Sequence, residues 1–159
     1  ADAEVVLAQR LRHWDLEVSG GLRYGQLEYV NPVATLFGVG NLMFDGTGPT
    51  VAVSGRRNLG TSGFALVGNL RGSLLFGDIT NSGMLVNILP VRLENEIMRN
   101  VENQLGIAWT RQIPRGAGLE LRAAWESQYW MNNTISDDVY GLGTDLGFNG
   151  PTVAAELRY

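Results

Sequence analysis

The sequence predicts an all-β protein: an antiparallel transmembrane β-barrel of meander topology, with about seven or eight strands in view. Three observations carry this. The first is Phe64–Phe76, FALVGNLRGSLLF, which alternates from end to end. Phe64, Leu66, Gly68, Leu70, Gly72, Leu74 and Phe76 share one face; Ala65, Val67, Asn69, Arg71, Ser73 and Leu75 share the other. A period of two means a β-strand, because successive side chains leave the pleat on opposite sides. The segment spans about 30 Å at roughly 3.3 Å per residue and about 40° tilt, which matches a bilayer core with an aromatic ring at each water interface. A globular strand is usually about 5–6 residues. The second observation is that the same apolar ladder recurs along the chain. The third is a rhythm in the connections. Those near residues 12, 60 and 114 are short and those near 35, 87 and 138 are long, as in barrels with short periplasmic turns and long outer loops. One long strand would also suit a soluble barrel with its apolar face inward, but a soluble sandwich has no reason to sort its loops by end.

Composition narrows the class. The chain has 159 residues, read as a single domain over 1–159, with 45% hydrophobic residues and a mean hydropathy of −0.01. That average suits a wall whose lipid-facing and lumen-facing residues cancel. No apolar run approaches the roughly 18 residues a membrane helix needs. A net charge of −4 argues against a nucleic-acid partner. There is no Cys, so disulfide and thiolate chemistry are excluded. All twelve basic residues are Arg, the cation better suited to fixed, planar ion pairs. The chain opens ADAEVV, without an initiator Met or a signal-like apolar stretch. A removed signal peptide or a fragment is expected.

Taken in order, residues 1–11 alternate and predict a strand, with a helix as the alternative because Ala, Glu, Leu and Gln favour one. Trp14–Tyr24 predicts the next strand: Trp14, Leu16, Val18, Gly20, Leu22 and Tyr24 against Asp15, Glu17, Ser19, Gly21 and Arg23. Val30–Asn41 reads as a loop. Thr50–Asn58 and Gly63–Gly77 read as strands. Asp78–Glu96 is mixed, and Leu93, Ile97, Val101 and Leu105 recur every four residues, so a short helix or an inward-folded loop is predicted. Glu102–Thr110, Leu119–Tyr129 and Thr152–Tyr159 alternate again, and Met131–Thr144 is a polar loop. GPTVA occurs twice, at Gly48–Ala52 and Gly150–Ala154, each just beyond a Phe (Phe44, Phe148). Pro cannot donate to a ladder, so Pro49 and Pro151 predict bulges or the rim of the wall.

Several motifs are similar to those of a known family. GGLRY (20–24), DGTGPTVAVSGRRNLG (45–60), LRGSLLFGD (70–78), LGIAWTR (105–111), WESQYW (125–130) and LGFNGPTVAAELRY (146–159) resemble the Legionella-type major outer membrane protein family. This is a pore-forming outer-membrane β-barrel family, common in planctomycetes. The likeness covers most of residues 14–159 and is carried by structural rather than catalytic motifs. Tyr159, with apolar residues at alternate positions before it, resembles the C-terminal insertion signal of bacterial barrels. Family members are longer, and single-chain bacterial barrels have even strand counts. The resemblance therefore implies a C-terminal portion of a larger barrel.

Candidate chemistry is sparse. His13 is the only His. A triad with Ser19 and Asp15 fails, since alternate residues of one strand do not converge on one atom. Asp137, Asp138 and Asp145 lie on or beside one outer loop, but their spacing fits no EF-hand. Asn132–Thr134 is a glycosylation sequon of little meaning in a bacterial outer membrane. The main constellation is charge on the polar strand faces. Asp15, Glu17, Arg23, Arg56, Arg71, Glu102, Glu120, Arg122, Glu126, Glu156 and Arg158 are the pore-lining candidates, with Asp2, Glu4, Arg10 and Arg12 completing a nearly neutral set. Two arrangements fit it: a wet pore lining, or ion pairs filling a narrow barrel. Trp14, Tyr24, Phe64, Phe76, Trp109, Trp125, Tyr129 and Tyr159 are the aromatic-girdle candidates.

The expected function is porin-like passive diffusion of small hydrophilic solutes across the outer membrane of Gram-negative bacteria. No enzyme activity, cofactor or metal is expected. The expected partners are membrane lipid and lipopolysaccharide, with self-association into a homo-oligomer open. Two other classes compete: a structural outer-membrane protein with partner-binding loops, and a soluble lipocalin-type ligand-binding barrel.

Overall fold

The computed structural model describes residues 1–30, 41–82, 91–113, 117–131 and 145–158. These form seven strands: β1 (Asp2–Arg10), β2 (Asp15–Val30), β3 (Asn41–Asn58), β4 (Phe64–Ser82), β5 (Val91–Gln112), β6 (Gly118–Met131) and β7 (Leu146–Arg158). Each pairs antiparallel with the next in one sheet of order β1-β2-β3-β4-β5-β6-β7. The sheet is curled but not closed. Its outer strands are β1 and β7, which suits part of a larger barrel.

Alternation sets the faces. On β4, Phe64, Leu66, Leu70, Leu74 and Phe76 are exposed, whereas Ala65, Ser73, Leu75 and Ile79 are buried. Val5, Leu7, Val18, Leu22, Val51, Val53, Leu105, Ile107, Leu121, Val153 and Leu157 extend the exposed apolar surface across the other strands. The convex side is thus the apolar one, the reverse of a soluble barrel.

The short connections are tight. Leu11 N–H donates to Trp14 O, and Leu59 N–H donates to Phe64 O at 2.8 Å. The second turn needs a left-handed backbone at Gly60 (φ 66°) and Gly63 (φ 81°), which glycine adopts without a Cβ penalty.

The sheet departs from the sequence expectation at its long-loop end. β2 runs six residues past Tyr24, β3 begins nine residues before Thr50, and β4 runs on to Ser82. Six residues beyond the Tyr24 and Phe76 level raise the sheet by about 15 Å. The predicted loop of 30–41 therefore shrinks, its residues 31–40 lying outside the described chain. So do residues 83–90 and 132–144 of the other two long connections. The predicted helix or inward loop over 78–96 is corrected to strand on both sides of 83–90. A repeat of four is also two strand periods, so Ile97, Val101 and Leu105 simply share the outer face of β5. Leu93 breaks from them because β4 and β5 shift register between Gly77 and Ile79, opposite Asn95 at φ 61°. This bulge moves Leu93 to the inner face, a change of parity that alternation alone does not foresee.

Pro49 and Pro151 are also corrected. Neither marks a bulge: Leu22 lies opposite Pro49 and Trp125 opposite Pro151, and although the β3–β4 ladder skips Gly48 and Pro49 between Thr47–Phe76 and Thr50–Ser73, its register is the same on both sides. Pro151 sits on the outer strand β7, where a missing N–H costs no ladder bond if it points to the open side. Alternation of burial also continues unbroken through Pro49: Gly48 and Thr50 are buried, Pro49 and Val51 exposed.

Candidate functional site: the concave wall

The inner face carries three layers. At the short-turn end lies a cavity of about 810 Å³, lined by Asp15, Glu17, Ser54, Asn69, Gln104 and Thr110 among others. A lattice of Arg–carboxylate pairs runs from that cavity, whose wall includes Arg56, Glu120 and Arg122, to the middle of the sheet, where Arg71–Glu4 and Arg23–Glu102 lie. At the long-loop end Leu27, Phe44, Leu75, Ile79, Met98 and Trp130 form an apolar cluster, with Leu93 and Leu146 packed against it.

The ion pairs follow from the curl. Arg71 on β4 bonds Glu4 on β1. Arg23 on β2 meets Glu102 on β5 at 2.7 Å, and Arg56 on β3 meets Glu120 on β6 at 3.1 Å. Each pair joins strands three apart. Along a flat sheet that separation is about 14 Å, with side chains projecting in parallel. The heads meet only because the strands' inward normals converge. Further contacts join the first two pairs: Asp2 lies 3.5 Å from Arg23 and 3.6 Å from Arg71, and Glu102 lies 4.0 Å from Arg71. Arg122 donates to Glu120 at 3.2 Å, and Arg56 donates to Thr110 at 2.8 Å. Arg23 also donates to the fully buried Asn100 at 3.2 Å.

The structure places the sequence candidates as follows. Arg23, Arg56, Arg71, Glu102, Glu120 and Arg122 come together in this lattice. Asp15 lies towards the β1 side, holding the exposed Arg10 at 2.9 Å, and Glu17 is exposed beside it. Glu126 accepts from Gln128 at 2.9 Å. Glu156 lies exposed on β7. The Arg158 side chain is outside the described residues. Arg12 and His13 are exposed in the β1–β2 turn rather than on the wall. Of the three acids near the last long loop, Asp145 is exposed, and Asp137 and Asp138 lie outside the described residues. Among the described residues no group of three or more His, Cys, Asp or Glu could hold a metal ion.

The girdle candidates fall at two heights and one exception. Trp14, Phe64 and Trp109 lie near the short turns. Phe64 and Trp109 are cross-strand partners with ring centroids 6.5 Å apart, and the Arg57 guanidinium sits 5.6 Å from the Trp14 ring. Tyr24, Phe76 and Tyr129 lie toward the long loops. Trp125 is the exception, four residues inside Tyr129 and 53% exposed on the outer wall. Tyr159 is outside the described residues.

Sequence reasoning missed the apolar inner cluster. One signal was available: Leu74–Leu75 is apolar on both faces, which marks where an apolar interior begins. Glu96, buried on the same face of β5 as Met98, was missed as well; its Oε2 has no hydrogen-bond partner among the described residues.

A long-stranded antiparallel sheet that is apolar on its convex side and carries ion pairs on its concave side has the make-up of an outer-membrane β-barrel wall. The chain belongs to the family described as Legionella pneumophila major outer membrane protein precursor, which it matches over residues 15–159. It is accordingly an outer-membrane protein, and its family is not one of enzymes. Curated proteins and solved structures yield no significant match.

Proposed function

We propose that the concave wall lines a porin-like passage for passive diffusion of small hydrophilic solutes. The observation that carries this reading is the polar cavity opening onto the lattice of paired charges, on the face turned away from lipid. Paired charges of both signs favour solutes of either sign weakly, because each guanidinium's field is met by a carboxylate. The apolar cluster at the long-loop end is the narrow part of such a path, where an apolar constriction controls wetting. The reading includes no catalytic step.

A second reading is favoured by the same cluster. Arg–carboxylate bridges across three strands and a packed apolar end also suit a filled wall with a purely structural role, its outer loops free to bind partners. Single-channel recording in planar bilayers separates the two. Pure, folded, full-length protein should give discrete current steps, and Arg71→Gln should shift the reversal potential toward cation preference. Absence of steps would leave the structural reading standing.

A further inference from the structure

The convex face has a groove that neither reading uses. It lies over β3, β4 and β5, has a volume of about 360 Å³, and is lined by Val51, Gly72, Leu74, Arg99, Val101 and Met131, among others. Gly72 creates it: a Cβ built there would meet no atom within 4 Å. Leu74, Arg99 and Met131 share one register row, and Val51, Gly72, Val101 and Tyr129 share the next row toward the short turns. The groove thus has its cation at the long-loop end and its open, apolar floor beneath.

Arg99 is exposed and has no ion pair or hydrogen bond among the described residues. Arg12 and Arg111, both exposed at the short-turn end, share this lack among the described residues, whereas the arginines nearer the groove and the wall have partners. Arg23, Arg56 and Arg71 face carboxylates inside, Arg57 lies over Trp14, and Arg92 holds Asp78. Arg99 lies two residues from Ile97, the partner of Phe76, and so about 5 Å on the lipid side of that aromatic level. A lone arginine costs least near an interface, where its head can reach the headgroups.

We propose that this groove binds one lipopolysaccharide molecule through its lipid A. A lipid A phosphate sits on the Arg99 guanidinium, and an acyl chain runs down over Gly72 toward the short turns. The orientation follows from charge and depth. The guanidinium fork matches a phosphate in two parallel hydrogen bonds. Long loops face the outside, so the groove opens to the outer leaflet, where lipid A is the phosphorylated acyl lipid. The proposal rests on the convex face meeting lipid, not on the passage being open.

The test is native mass spectrometry of the full-length protein, delipidated in detergent and titrated with lipid A. The comparison arms are dephosphorylated lipid A and phosphatidylglycerol. Wild type should hold one lipid A and bind both comparison lipids at least tenfold more weakly. Arg99→Gln and Gly72→Leu, which fills the groove, should each weaken lipid A binding at least tenfold. Arg99→Lys, which keeps the charge but loses the two-pronged fork, should fall between wild type and Arg99→Gln, and Arg57→Gln at the other end should leave binding unchanged. Heat-modifiable migration in SDS checks that each variant folds; should Gly72→Leu fail, Arg99→Gln decides, since it removes no ion pair or hydrogen bond among the described residues. Wild-type affinity in Arg99→Gln overturns the proposal. Equal affinity for phosphatidylglycerol overturns it too, as a generic anionic-lipid contact. Current steps from a protein whose Arg99→Gln variant still binds lipid A as wild type does would leave the pore reading intact while the lipid site fails.

Discussion

Leu70→Arg measures what the convex face touches. Leu70 lies six residues from Phe64 and six from Phe76, is 56% exposed, and pairs with Val53 and Asn103. Six residues at roughly 3.3 Å and about 40° tilt put it about 15 Å from either aromatic level, close to the midplane of a hydrocarbon core of about 25–30 Å. An arginine facing lipid there costs about 2–4 kcal/mol, falling to about 0–1 kcal/mol near the interfaces. Leu66, 40% exposed and only two residues from Phe64, should therefore give a much smaller loss as Leu66→Arg. In water the same exposed surface would tolerate the change within about 0.5 kcal/mol at both positions. The assay is reversible folding of the full-length protein into liposomes against denaturant, with the free energy compared between variants. A profile flat within about 0.5 kcal/mol across Leu66 and Leu70 would refute the membrane assignment of this face.

Three further outcomes are expected. The Arg71 and Glu4 side chains are 18% and 14% exposed, so a double-mutant cycle of Arg71→Gln and Glu4→Gln should show a coupling of about 0.5–3 kcal/mol in liposome folding, the double variant losing less than the sum of the two single losses. Phe44→Ala removes a fully buried ring from the inner cluster. It should cost about 3–5 kcal/mol and, in a conducting protein, raise single-channel conductance; unchanged conductance would place the narrow part elsewhere. Asp78 lies two residues beyond Phe76, outside the lipid-facing band. The Arg92 guanidinium at 2.5 Å and the Asn95 N–H at 3.3 Å hold its carboxyl below the usual carboxylate range. Because its folded pKa is depressed, the clamp on the bulge is fully present above the unfolded value of about 3.9 and is lost as the pH falls through the folded value. Amide exchange at Asn95 should accelerate over that acid range, and Asp78→Asn should abolish the pH dependence.

The alternation of Phe64–Phe76 and Trp14–Tyr24 was enough to assign strands, faces and aromatic ends, because side-chain direction in a strand is local and changes with every residue. The motifs at 20–24, 45–60 and 146–159 were enough to place the chain in its family. Above Phe76 that reading lost its signal for two physical reasons. The interior turns apolar at Leu27, Phe44, Leu75 and Ile79 while the outer positions Gln26, Glu28, Asp45 and Asp78 are polar, so the sense of the alternation inverts along each strand, and the Asn95 bulge reverses the parity of Leu93. Strands there looked like loop or helix. Which arginine meets which carboxylate was beyond any local pattern. Arg71 and Glu4 are 67 residues apart, and they meet only because the sheet curls until strands three places apart face each other. The same holds for Arg99 and Gly72. Sequence supplied a cation and a glycine; register alone put them in adjacent rows, with the charge at the water side and the gap beneath it.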